Sequence, residues 1–119
     1  VTGVQTCALP ISWINGRWFG EAEAGVDMQF SFADLIAHVA KSRPLTAGTL
    51  VGSGTIANED TSKGASCLAE QRTVETLRDG KPATPFLKFG DRVKIDITDQ
   101  AGRSVFGAIE QVVKQYVPA

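Results

Sequence analysis

The chain has 119 residues, of which 43% are hydrophobic and 21% charged, and its formal net charge is −1. This composition is typical of a globular domain, and the absence of a basic cluster disfavours a nucleic-acid partner. No apolar run reaches the roughly 18 residues that a membrane span needs, and two cysteines, Cys7 and Cys67, are too few for a disulfide framework. We therefore expect a cytoplasmic protein without a membrane partner.

The N-terminal segment differs from the rest of the chain. Residues 1–11 have neither the charged start nor the long apolar centre of a signal peptide. They match the in-frame translation of a sequencing-library adapter, whereas the alternative is a natural N-terminal strand. We expect residues 1–11 to be foreign, and residues 12–119 to be part of a single domain cut from a longer protein.

A hairpin and a helix are predicted next. Asn15-Gly16 lies between two apolar flanks and suits the left-handed dihedral angles of a type I′ hairpin turn. The helix begins after Ser31, whose side chain can cap it together with Asp34, and Pro44 ends it. A hydrophobic staple is expected between Phe30 and Leu35. The helix carries one apolar stripe, formed by Phe32, Leu35, Ile36, Val39 and Ala40.

The second half of the chain predicts strands and loops. Residues 58–64 form a polar loop, and Leu68 to Leu77 is predicted as a strand that turns at Asp79-Gly80. Apolar and polar residues alternate from Arg92 to Thr98, which is the clearest strand pattern in the chain. A turn at residues 99–102 leads into a further strand from Ser104 to Val113. The expected fold class is α+β, mostly β with one α-helix.

Several segments occur in an order that resembles the C-terminal part of bacterial fumarylacetoacetate hydrolases. They cover most of the chain from Ser12 to Val113. The segments are Asp27-Met-Gln-Phe-Ser-Phe, Leu35-Ile-Ala-His-Val-Ala-Lys41, Arg43-Pro-Leu, Ala47-Gly-Thr-Leu-Val-Gly-Ser-Gly-Thr-Ile56, Ser66-Cys-Leu-Ala-Glu70, Thr84-Pro-Phe-Leu-Lys-Phe-Gly-Asp91 and Phe106-Gly-Ala-Ile109.

This resemblance implies a fold and a reaction. The fold is a partial mixed β-roll, similar to a barrel, within a catalytic domain that usually forms homodimers. The reaction is hydrolysis of a carbon–carbon bond in a β-diketo acid, most closely fumarylacetoacetate to fumarate and acetoacetate in tyrosine breakdown. In that chemistry a water activated by a His–Glu pair attacks a carbonyl held by a divalent metal, Mg²⁺ or Ca²⁺.

Three positions can be carried over from the family. Glu70 matches the glutamate of the His–Glu pair, and Gly54 and Thr55 match the loop that binds the substrate's carboxylate. Without the resemblance, Glu70 would be interpreted as a solvated strand residue. Gly52-Ser-Gly-Thr55 would be interpreted as a plain turn, although such loops can also expose N–H groups to an anion.

No residue of this chain is assigned as a metal ligand. The resemblance places the metal ligands and the catalytic histidine upstream of this segment. Glu21-Ala-Glu23 only superficially has the spacing of the family's ligand motif, and His38 is expected to be structural. We therefore expect the fragment to hold no metal and to be inactive alone. The alternatives are an acylpyruvate hydrolase, decarboxylase or isomerase of the same superfamily, or a small β-domain that binds without chemistry.

Overall fold

The computed structural model of the chain describes residues 9–118, which form a four-stranded antiparallel sheet and two helices. The strands are β1 (Leu9–Ile14), β2 (Arg17–Gly20), β3 (Arg92–Thr98) and β4 (Ile109–Val112), and their order in the sheet is β2-β1-β3-β4. The helices are α1 (Phe32–Ala40) and α2 (Leu68–Asp79). The α+β class is confirmed. Most of the segment expected to be foreign, with Cys7, lies outside the described residues.

The hairpin between β1 and β2 forms where the sequence predicts it. Asn15 and Gly16 both have positive φ angles, 51° and 75°, as a type I′ turn requires. Ile14 pairs with Arg17 and Trp13 with Trp18 across the turn. The alternating strand is confirmed as β3, which pairs with β1 on one side and with β4 on the other.

Helix α1 begins with the predicted capping box. The Asp34 N–H donates to Ser31 Oγ over 3.2 Å, and the Ser31 N–H donates back to Asp34 Oδ2 over 2.9 Å. The bond from the Ser31 hydroxyl is the main cause that lowers the pKa of Asp34. No residue of α1 is buried, so the described part of the chain does not cover the apolar stripe.

The prediction of a strand from Leu68 to Leu77 is wrong, because this segment is helix α2. Two end signals stabilise the helix. Cys67 is the N-cap and accepts a hydrogen bond from the Glu70 N–H over 3.3 Å, while Gly80 adopts the left-handed conformation at φ 79° that commonly ends helices. The chain therefore has two α-helices rather than one. The predicted last strand is also shorter than expected, since only Ile109–Val112 of it is a strand.

The described residues bury very little apolar surface. The buried hydrophobic residues are Ala22 and Ala65, whereas Leu50, Leu77 and Phe106 are more than 80% exposed. The radius of gyration is 17.0 Å, where a compact domain of this length has about 13.5 Å. The accessible surface is 9223 Å², about 3,000 Å² more than a folded monomer of this mass exposes.

One face of the sheet is apolar and open. Val93, Ile95 and Ile97 alternate along β3 and so point to one side, and Ile95 pairs with Ile109 of β4. Ile95 is 40% exposed and Ile109 57% exposed. No helix within residues 9–118 is long and apolar enough to cross a membrane.

Candidate functional site

A cavity of about 310 Å³ lies between two loop segments that are distant in the sequence. One wall comes from the chain before and at the start of α1, and the other from the Gly-Ser-Gly-Thr loop. The lining residues are Ala24, Val26, Asp27, Met28, Gln29, Phe30, Phe32, Leu35, Ser53, Gly54, Thr55, Ile56 and Ala57. The structure therefore places Gly54 and Thr55, the predicted substrate-binding residues, on the wall of a cavity.

Asn58 holds the two walls together. Its Oδ1 accepts a hydrogen bond from the Glu23 N–H over 2.7 Å, and its Nδ2 donates to the carbonyl oxygens of Glu23 and Val26, each over 3.2 Å. Next to it, the Glu59 N–H donates to Asp27 Oδ2 over 2.9 Å. These four hydrogen bonds join residues more than 30 positions apart, so they fix the loop that follows Thr55 against the opposite wall.

The loop at Gly54-Thr55 presents unused hydrogen-bond donors. Gly54 has a φ of 86°, a conformation that favours glycine. Within residues 9–118, neither the Thr55 hydroxyl nor the N–H groups of Gly54 and Thr55 donate a hydrogen bond, and both residues are exposed. Exposed N–H groups and a hydroxyl beside a cavity can bind an anion such as a carboxylate. Met28, Phe30 and Ile56 supply apolar walls next to these donors.

Glu70 lies in the first turn of α2, at the third helical position. Its Oε2 accepts a hydrogen bond from the Ser66 N–H over 3.1 Å, while its own N–H donates to Cys67 Sγ. Its other carboxylate oxygen, Oε1, accepts no hydrogen bond within the described part of the chain. Glu70 does not line the cavity at Thr55, so the structure does not bring these two predicted residues into one pocket.

His38, the one histidine of the sequence, lies in the last turn of α1 and is exposed. Its side chain makes no hydrogen bond within residues 9–118. The ring lines a shallow surface cavity together with Phe30, Asp34 and Leu35, and Glu70 is not among the residues of that cavity. His38 is therefore not placed as the partner of Glu70.

The sequence interpretation missed Glu75, whose carboxylate accepts four hydrogen bonds within the described part of the chain. Glu75 is only 5% exposed. Its carboxylate accepts from the Thr84 hydroxyl (2.5 Å), the Thr84 N–H (2.8 Å), the Ala83 N–H (2.7 Å) and Gln71 Nε2 (3.0 Å). These bonds, the Thr84 hydroxyl first, lower the pKa of Glu75 to about 2. In the sequence, the only local signal for this hydrogen bonding was the position of Gln71 four residues before Glu75, which places the two side chains on one face of a helix.

Asp91 is the second buried carboxylate, and it joins the hairpin turn to the start of β3. It is 8% exposed and accepts from the Lys88 N–H (2.9 Å), Asn15 Nδ2 (3.0 Å) and Lys88 Nζ (3.1 Å). The bond from the Lys88 N–H is the first cause that lowers the pKa of Asp91 to about 2. Asn15 completes the link, since its Oδ1 accepts from the Arg92 N–H over 2.9 Å.

A second cavity, of about 500 Å³, lies beside this link. Its walls come from the hairpin turn, the first residue of α2 and the segment that leads into β3. The lining residues are Ile14, Asn15, Arg17, Trp18, Phe19, Leu68, Thr84, Pro85, Phe86, Leu87, Lys88 and Asp91. None of the carried-over residues Gly54, Thr55 and Glu70 lines it.

The described residues do not fit a metal centre. Among them, no group of three or more His, Cys, Asp or Glu side chains is close enough to hold a metal ion. Glu21, the first residue of the superficial ligand motif, instead approaches Lys63 Nζ at 3.9 Å.

Residues 7–114 match the family model described as fumarylacetoacetate (FAA) hydrolase C-terminal. None of the curated proteins matches the sequence.

Proposed function

Because the chain belongs to the fumarylacetoacetate hydrolase family as a C-terminal domain, we propose that it is part of an enzyme that hydrolyses a carbon–carbon bond in a β-diketo acid. The superfamily contains hydrolases, decarboxylases and isomerases. Fumarylacetoacetate is the proposed substrate, and an acylpyruvate hydrolase, a decarboxylase and an isomerase are the rival activities. The homodimer and the cytoplasmic location implied by the resemblance belong to the same proposal.

Gly54 and Thr55 bind the substrate's carboxylate in this proposal. The observation that carries it is the set of unused donors on two residues that line a cavity of about 310 Å³. A carboxylate there would accept charge-assisted hydrogen bonds, which are about twice as strong as neutral ones. Asn58 keeps the loop in place through its bonds to Glu23 and Val26, so the donors are fixed before the substrate binds.

Glu70 orients a histidine that an upstream segment supplies. The free Oε1 of Glu70 can accept a hydrogen bond from an imidazole N–H, while Oε2 stays bonded to the Ser66 N–H. A carboxylate in this position fixes the imidazole tautomer and stabilises the imidazolium formed when the ring takes a proton from water.

Members of the family generally bind divalent metals, and we propose that Mg²⁺ or Ca²⁺ serves the complete enzyme. Such a cation polarises a carbonyl oxygen. The described residues offer no ligand set for it, so the ligands would come from upstream chain. The exposed stripe of α1 and the open face of the sheet are also surfaces that such upstream chain would cover.

The test uses the complete reading frame, purified and loaded with Mg²⁺ or Ca²⁺. Substrate loss is followed for fumarylacetoacetate, for acylpyruvates and for a β-keto acid that can be decarboxylated. Turnover of fumarylacetoacetate with the highest kcat/KM supports the proposal. Preferential turnover of one of the other substrates would assign the enzyme to a rival activity.

Two variants test the residue roles. Thr55→Ala should raise KM about 10-fold or more, since a hydrogen bond to a charged group contributes about 1.5–3 kcal/mol. Its control is Thr46→Ala, which removes an exposed hydroxyl outside the cavity. Glu70→Gln should lower kcat by about 10²-fold or more, with Glu59→Gln as its control, because the Glu59 carboxylate makes no hydrogen bond or ion pair within residues 9–118. Wild-type kinetics in either test variant would remove that residue from the site.

A further inference from the structure

We propose that Glu75 is the positioning residue that sets the direction of Glu70 in the His–Glu pair. Glu75 is buried and charged, and the proposed reaction does not use it directly. The inference rests on the proposed function, since Glu70 carries the proposed catalytic carboxylate. The physical question is what holds helix α2, and with it Glu70, in one orientation.

Among residues 9–118, helix α2 makes few contacts with the sheet. The extensive contacts between elements within residues 9–118 are those between neighbouring strands. Just before α2 begins, two backbone segments lie close together. Gly20 forms an isolated bridge with Gly64, and the adjacent Ala65 is buried. This contact fixes where α2 starts, but one anchor leaves the helix free to tilt.

The second anchor is the carboxylate of Glu75. It accepts three hydrogen bonds from Ala83 and Thr84, so it attaches the middle of α2 to the segment after the helix. Arg72 supports this attachment, since its guanidinium donates to the Thr84 carbonyl oxygen and lies 4.3 Å from the ring centre of Phe86. Both side chains reach the same short stretch of backbone.

That stretch continues into the sheet. Lys88 donates to the buried Asp91 with its N–H and its Nζ, and Asn15 of the hairpin turn donates to the same carboxylate. Hydrogen bonds at the two ends of residues 83–91, joined by the chain between Thr84 and Lys88, therefore connect α2 to β3 and the β1–β2 turn. The orientation of α2 relative to the sheet depends on Glu75 at the first link of this connection.

The geometry sets the size of the effect. Without the Glu75 bonds, α2 would pivot on its remaining anchor at Ala65, five positions before Glu70 and on the order of 7 Å away at the helical rise per residue. A tilt of about 10° around that anchor moves Glu70 by about 1 Å, and a misplacement of 1 Å in a reacting group can lower the rate about 100-fold. Substrate binding at Thr55 should change little, because the cavity there is held by Asn58 and not by α2.

The experiment replaces Glu75 in the complete enzyme. Glu75→Gln should lower kcat about 10- to 100-fold with KM within about twofold of wild type. The acidic limb of the kcat/KM–pH profile should also shift, because the histidine loses its oriented carboxylate. Asp79→Asn is the matched control. Asp79 is a carboxylate on the same helix and pairs with Arg78 at 2.6 Å on the surface, so its variant should keep wild-type kinetics and pH profile.

Two further comparisons keep the test decisive. A loss of activity in Glu75→Gln that follows only the amount of folded enzyme, with an unmoved pH limb, would overturn the positioning role. If Glu75→Gln does not fold, Thr84→Val is used instead, because it removes one donor to the same carboxylate and should still shift the acidic limb of the kcat/KM–pH profile. A wild-type pH profile in Thr84→Val would also overturn the positioning role of Glu75. If wild type hydrolyses no diketo acid, or Glu70→Gln is fully active, the proposed function fails first and this inference with it.

Discussion

The exposed apolar surface leads to a prediction about the chain when it is produced alone. The chain exposes 9223 Å², about 3,000 Å² beyond a compact monomer of its mass. If a little over half of that excess is apolar, as on protein surfaces generally, then about 40 kcal/mol of hydrophobic free energy is not gained at about 25 cal/mol per Å². Burial normally offsets a conformational entropy cost of similar size and leaves a net stability of only about 5–15 kcal/mol, so a chain that lacks this much burial should not keep a unique fold.

The assay compares the chain alone with the chain produced together with the upstream part that the proposed function requires. Alone, it should elute from a sizing column as aggregates, bind a hydrophobic dye and unfold without a cooperative transition. Co-production should abolish dye binding and give one sharp transition. Ile109→Ser, on the open face of β4, should reduce dye binding of the isolated chain. A monodisperse monomer that melts cooperatively without the upstream part would refute this reasoning.

Three further predictions concern the complete protein. Ser31→Ala removes half of the capping box and should lower the free energy of unfolding by about 0.5–2 kcal/mol; denaturant unfolding that matches wild type would contradict the role of the pair with Asp34. Gly64→Ala should lower the free energy of unfolding by on the order of 3 kcal/mol, because Gly64 has φ 71° and ψ −152° and a Cβ would overlap the Phe19 carbonyl oxygen. An unchanged melting temperature would show that the close approach of Gly64 to β2 is not needed for stability. Folding lowers the pKa of Glu75 from 4.5 to about 2. Its contribution to stability is therefore present above about pH 4.5 and is lost as the pH falls towards 2. Between these pH values, the Glu75→Gln variant should lose less stability on acidification than wild type does.

Local signals explain which parts of the fold could be predicted. The Asn15-Gly16 turn and the cap at Ser31 depend on residues within a few positions of each other, and both are confirmed. The strand predicted from Leu68 failed because Thr73 and Thr76, which favour strands, make helix-compatible bonds instead. Each hydroxyl donates to the carbonyl four residues earlier, over 2.8 and 2.7 Å. An N-cap cysteine is an unusual helix start, so the capping pattern was easily missed.

The site was less predictable than the fold because its residues depend on distant partners. The position of Thr55 beside the cavity depends on Asn58, which bonds to chain 32 and 35 positions earlier. The buried state of Glu75 depends on backbone N–H groups eight and nine positions later, and backbone donors have no signature in residue type.

In the proposed function, Glu70 depends on a partner that lies outside the described residues. Its Oε2 is used locally by Ser66, and the described chain gives Oε1 no donor. Glu70 is half-buried, so an unused carboxylate oxygen there is also open to solvent. It acquires a chemical role only if an imidazole from upstream chain reaches it. Mixing the Glu70→Gln fragment with the upstream part is therefore the most direct probe: complementation that restores the fold but not turnover assigns the carboxylate to the chemistry, whereas restored turnover would leave Glu70 as a helix cap.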